Sequence, residues 1–81
     1  METILAETKT YISTQLLDDA SFPLEYETAL ISSGLIDSIS TLKLVDYLEK
    51  KYHIEFLPHE VDKDHLDSIE LIAAFVQSKM N

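Results

Sequence analysis

The residues of this chain best suited to chemistry lie in a repeated triplet. Asp-Ser-Ile stands at residues 37–39, within GLIDSIS, and again at 67–69, within HLDSIE. Asp and Ser both favour helix N-caps, because their side-chain oxygens accept hydrogen bonds from first-turn amides. Capping is enough to explain the second triplet. With Asp67 as the cap, Glu70 takes the third helical position of a capping box, and Leu66 and Leu71 take the two places of a hydrophobic staple. Ser68 is then left with no further role. The first triplet makes a poorer cap. With Asp37 as the cap, Ser40 and Thr41 fill the third and fourth positions, so neither box nor staple forms; with Ser38 as the cap, Thr41 falls third. This site also follows Gly34, the only glycine of the chain. A lone glycine ahead of a helix marks a backbone position of positive φ or one of close approach. A serine on the first turn of such a helix is well placed to bear a phosphate, since free amides and the positive helix pole stabilise an anion there. Ser38 is therefore the serine expected to carry chemistry, and Ser68 the one expected only to start a helix.

Other constellations carry less. Asp62, Asp64 and Asp67 begin like a calcium loop, but the glycine of the sharp turn and the glutamate at the twelfth position are missing. His53, His59 and His65 stand six apart across a broken region, which places them on no common face; they are expected at the surface, with no metal site. Ser38 and Asp37 with a distant histidine do not make a hydrolase, because there is no G-x-S-x-G elbow and a chain this small offers little pocket. With no cysteine, disulfides, thiolate metal sites and cysteine catalysis are all excluded. Any thiol the protein uses must come from a bound group.

The elements that must position these residues are helices. Residues 2–17, ETILAETKTYISTQLL, carry a stripe of Leu5, Ile12 and Leu16 with Ile4, Ala6 and Tyr11 beside it, and Thr3 as a candidate cap. DDASFP stops this helix, since Pro23 biases Phe22 away from helical backbone. Residues 18–37 form a long connection with apolar residues spread along it. It is expected to pack over the helices, with a short helical turn at Glu25–Ile31. A second helix, SISTLKLVDYLEKKYHI, carries Leu42, Val45, Leu48 and Tyr52 at helical spacing, widened by Ile39 and Leu44. Lys50, Lys51 and His53 suit its negative pole. Pro58 is placed to open a short third helix through PHEVDKD. The last helix, DSIELIAAFVQSKM, buries Ile69, Ile72, Ala73 and Val76, extended by Phe75 and Met80. The fold class expected is all-α: a small four-helix bundle of three longer helices and one short third helix, with a long loop between the first and second. Residues 1–81 are read as a single domain.

Composition agrees. A length of 81 residues supports one domain, and one glycine with two prolines leaves too few turn residues for a β-rich fold. The formal charge of −9 makes nucleic acid and anionic membranes poor partners and basic protein surfaces better ones. It also favours a soluble monomer. The N-terminal METILAETKT has no signal-peptide pattern, and no segment approaches a membrane span, so a cytoplasmic protein is expected.

Taken together, LISSGLIDSISTLKLVDYLEKKYHIEF resembles the segment around the phosphopantetheine serine of the acyl carrier protein family. The resemblance covers the whole chain: helix, long loop, G-L-x-D-S-x at a helix start, short third helix, and a final helix opening with LDSI. It implies a carrier, not an enzyme. A 4′-phosphopantetheine arm would be esterified to Ser38 by a phosphopantetheinyl transferase, from coenzyme A with Mg²⁺. Acyl or aminoacyl groups would ride on the arm's thiol as thioesters and be presented to partner enzymes. Gly34 and Asp37 would shape the attachment site, and Leu35, Ile36, Ile39, Leu42 and Lys43 would form the partner contact. The implied partners are the transferase, an acyl- or aminoacyl-activating ligase or acyltransferase, and a downstream synthase. Carriers of fatty-acid synthesis typically have acids along the helix after the serine. Here residues 38–52 carry a net +1, and Ser40 and Lys43 stand where those acids usually are. In this the chain looks more like free-standing carriers of specialised pathways. The competing reading is an acidic helical interaction module with no prosthetic group, both serines being caps.

Overall fold

The computed structural model describes residues 2–17 and 22–80, and among them every regular element is helical. The first helix, α1, spans Glu2–Tyr11 and runs on through a π-helical turn at Ile12–Leu16. Thr3 lies inside it and does not cap it. Its buried row is Ile4, Thr8 and Ile12, spaced at i, i+4 and i+8. Leu5 and Leu16 are only half-buried and Ala6 is exposed, so the expected stripe sits off-centre. The cause is Thr8, a polar residue in the middle of the core-facing row. Its Oγ1 is buried with no partner among the described residues. In the final turn the Thr14 hydroxyl donates to the Thr10 carbonyl at 2.7 Å, competing with the helical ladder, and Leu17 N–H reaches back five residues to Ile12 O at 2.9 Å.

The start of the connection, at residues 18–21, lies outside the described residues. From Phe22 onward it packs over the helices as expected, with Leu24, Leu30 and Ile36 almost fully buried. The helical turn expected at Glu25–Ile31 does not form. Thr28 N–H donates to Glu25 O at 3.2 Å while Thr28 Oγ1 accepts from Glu25 N–H at 2.9 Å, which closes a tight turn instead. Beyond it the backbone bonds across space. Leu30 N–H donates to Asp67 O at 2.6 Å, and Tyr26 O accepts from Glu70 N–H at 3.1 Å. Backbone groups used that way cannot also build a helical ladder.

The second helix, α2, spans Ser38–Tyr52 and stops at His53, whose left-handed backbone (φ +55°) forms the cap. Its buried row is Thr41, Leu44, Val45 and Leu48, with Tyr52 half-buried. Ile39 and Leu42, expected in that stripe, are instead 66% and 61% exposed. At about 100° per residue, the row through Leu44 and Leu48 continues to Thr41 rather than to Leu42. Thr41 fits the inside because its hydroxyl donates to Asp37 O at 2.8 Å.

Pro58 opens a turn as expected, but the short third helix comes as two pieces. A 3-10 turn covers Pro58–Glu60, and α3 covers Lys63–Leu66 with Asp62 as its cap. The fourth helix, α4, spans Ile69–Met80. Ile69, Ile72, Ala73 and Val76 are all fully buried, while Phe75 is half-buried and Met80 exposed. Contacts from α1, α2 and α3 converge on α4, so its apolar row is the spine of the core. Burial of each large side chain there contributes about 1.5–3 kcal/mol. A partly buried ion pair, Glu60–Lys79 at 2.7 Å, ties the 3-10 turn to the end of α4, with the ammonium over the rings of Phe56 and Phe75. No described helix is long and apolar enough to cross a membrane.

Candidate functional site

The two Asp-Ser-Ile triplets do opposite things. Asp37 is a sound cap for α2. Its backbone is extended, and its Oδ1 accepts from Ser40 N–H at 2.8 Å. Its carbonyl takes the first helical bond, from Thr41 N–H at 2.9 Å. The Ser40 amide holds the Asp37 carboxyl below the usual carboxylate range. The lack of a box or staple therefore does not weaken this cap: one oriented carboxylate satisfies the amide. Ser38 follows as the first helical residue. It is exposed, and its hydroxyl makes no hydrogen bond among the described residues.

At the second triplet the expected capping box and staple are absent. Asp67 ends α3 in helical backbone, and its side chain turns toward the long connection. Oδ1 accepts from Ile31 N–H at 2.8 Å and Ser32 N–H at 2.9 Å, and Oδ2 accepts from the Ser32 hydroxyl at 2.8 Å. The Ser32 amide is the first cause of the lowered pKa of Asp67. The cap of α4 is Ser68, whose Oγ accepts from Leu71 N–H at 3.1 Å and whose carbonyl accepts from Ile72 N–H at 2.9 Å. Moving the cap one residue along shifts the frame, so Glu70 no longer holds the third position. The staple fails as well, because Leu66 is fully buried while Leu71 is 43% exposed. Asp67 acts at a distance of more than thirty residues in sequence, and no local pattern reports that.

Gly34 has φ +80°, as expected of a glycine ahead of this helix. A Cβ placed there would meet nothing within 4 Å, so the glycine serves the backbone turn and not a close approach. The turn is closed by Gly34 N–H to Ile31 O at 3.0 Å and by Ile36 N–H to Leu30 O at 3.0 Å. These bonds deliver the chain to Asp37.

Of the residues expected to meet partners, Ile39, Leu42 and Lys43 are exposed on α2. Leu35 is half-buried against the core. Ile36 is only 3% exposed and belongs to the core. Its amide bond to Leu30 O turns it inward.

An open cleft of about 560 Å³ begins at Ser38. Ile31, Ile36, Leu42 and Val61 supply apolar lining, with Ser38 and Lys63 also on its wall. Val61 and Lys63 were not legible as site residues, because only the folded chain brings the α3 segment against the start of α2. Smaller clefts of about 380 and 430 Å³ adjoin the stacked rings of Tyr11 and Tyr47, whose centroids are 4.0 Å apart. The Ser38 cleft combines an apolar wall with a serine hydroxyl that makes no hydrogen bond among the described residues. Asp62, also on its wall, caps α3 and contacts His65 Nδ1 at 2.7 Å, while the His65 ring lies 4.5 Å from that of Phe75. His65 is thus half-buried, while His53 and His59 are exposed. No described group of three acidic, histidine or cysteine side chains is placed to hold a metal ion.

Compared with known proteins, the chain matches no family model, and no curated protein matches it.

Proposed function

We propose that this chain is a carrier protein, a small four-helix bundle that holds acyl or aminoacyl groups on a 4′-phosphopantetheine arm at Ser38. The observation that carries the reading is the contrast between the two serines. Ser38 is exposed, unengaged and on the wall of a largely apolar cleft, whereas the Ser68 hydroxyl is used as a cap. A phosphodiester at the first residue of α2 lies among first-turn amides and at the positive helix pole, which suits its charge. Asp37 fixes the helix start and so fixes where the Ser38 hydroxyl stands.

Loading would join Ser38 Oγ to the pantetheine-side phosphorus of coenzyme A. The pyrophosphate bond breaks, adenosine 3′,5′-bisphosphate leaves, and the serine proton passes to a base of the transferase. The bound arm supplies the thiol that this cysteine-free chain lacks, and so the thioester linkage for the cargo. Ile31, Ile36, Leu42 and Val61 offer an apolar wall on which such cargo can rest out of water. Tethering raises the effective concentration of cargo at each partner's active site. In this reading the protein is a cytoplasmic monomer and not an enzyme. It is served by a phosphopantetheinyl transferase and an activating ligase or acyltransferase, and it delivers to a synthase of a specialised pathway.

The sound cap at Asp37 favours a second reading, an acidic interaction module with no prosthetic group. Incubation with coenzyme A and a broad-specificity transferase separates the two. The carrier reading expects the intact mass to rise by one phosphopantetheine group; an unchanged mass supports the module.

A further inference from the structure

The chain has six basic residues, all lysines, against 15 acids. Lys50, Lys51 and Lys79 are ion-paired, with Asp46, Glu7 and Glu60. Lys9 lies over the Tyr26 ring at 5.6 Å. The two left without an ion pair or ring among the described residues are Lys43 and Lys63, and both are exposed. Leu42 links them in position. Lys63 lines the cleft together with Ser38 and Leu42. Lys43 follows Leu42 and stands four residues, about one helical turn, from Ile39. Ile39 and Leu42 are the most exposed of the large apolar side chains described. The first turn of α2 holds no acid. The two carboxylates beside the cleft, Asp37 and Asp62, are engaged as helix caps.

We infer that Ile39, Leu42, Lys43 and Lys63 form a docking face for an enzyme surface that is apolar and acidic, the reverse of the basic partner that the net charge of the chain would select. Exposed apolar side chains supply the area, and unpaired lysines reward carboxylates and set the register. The remaining surface, strongly acidic, repels the same partner elsewhere and so confines it to this face. The inference deepens the carrier reading and rests on it only in taking the partner to be an enzyme that acts at Ser38.

The test uses the full chain without the arm, labelled with ¹⁵N, at low salt where surface charges are least screened. Two synthetic amphipathic helical peptides share one leucine stripe, flanked in one by glutamates and in the other by lysines. The glutamate peptide is expected to shift the amides of residues 38–43 and 63, and Lys43→Glu combined with Lys63→Glu to weaken it about fivefold. The lysine peptide is expected to shift residues 55–62 and 64–70 instead. The inference is overturned if the glutamate peptide leaves residues 38–43 unmoved, if the lysine peptide binds that face as tightly, or if the double variant binds both peptides like the parent. Because no arm is involved, such a failure leaves the carrier reading standing. A chain that accepts no arm leaves the peptide result standing in turn.

Discussion

Residues 37–39 and 67–69 share three side chains and divide their labour in opposite ways. At the first, the aspartate caps the helix and the serine is left facing solvent. At the second, the serine caps the helix, and the aspartate reaches across to hold Ile31 and Ser32. The difference arises upstream. Asp37 arrives from an irregular segment in extended backbone, so its carboxylate can turn back on the first turn. Asp67 arrives at the end of α3, already helical, which moves the cap to the next residue and frees the carboxylate for a distant partner. The two sites are also coupled. Asp67 holds the connection at Ile31 and Ser32, and that connection carries Gly34 and Asp37 into place. A structural site at one triplet thus positions the candidate serine of the other.

The largest effect is expected at Asp67. Asp67→Ala leaves two backbone amides and a hydroxyl of the connection without their acceptor, and is expected to cost about 2 kcal/mol in urea unfolding. The pH dependence follows from the lowered pKa of Asp67. Its contribution is complete above the unfolded aspartate value, about 4. It is lost as pH falls through the lower folded value. Stabilities of the parent and Asp67→Asn should therefore diverge at neutral pH and converge in acid; a constant gap across that window would refute the carboxylate's role. Next in size is Ser68→Ala, which removes a cap worth about 1 kcal/mol and leaves loading intact. Gly34→Ala is expected to cost a similar amount, about 1 kcal/mol, from backbone alone, since the space for a methyl group is open. The smallest effect belongs to Ser38→Ala, within about 0.5 kcal/mol of the parent by the same unfolding measurement. A large loss there would mean that Ser38, like Ser68, is structural.

The helices were legible because their periodicity is local. α4 emerges with the buried row its spacing predicts, and Gly34 with the positive φ that a lone glycine before a helix suggests. Where the sequence misled, the cause was tertiary or polar. Ile39 and Leu42 belong to an apolar pattern yet stay outside, because Thr41, a residue that hydropathy discounts, takes the inner position. Ile36 reads as a loop residue available to partners, yet a backbone bond to Leu30 turns it into the core. The capping box at Asp67, with an aspartate in place of the usual Ser or Thr, did not form, because α3 runs directly into it. Ser38 was legible as the reactive candidate, but for a reason that did not survive: its neighbour caps well. What distinguishes it is an unengaged hydroxyl on a cleft whose lining includes Val61 and Lys63, from a segment more than twenty residues away.

Parallel loading of the parent, Ser38→Ala and Ser68→Ala with coenzyme A and a broad-specificity transferase, read by intact mass, tests whether one triplet bears the arm while the other only builds the fold. The expected result is one phosphopantetheine group on the parent and on Ser68→Ala, and none on Ser38→Ala. A group retained by Ser38→Ala, or a parent that gains no mass, would contradict it.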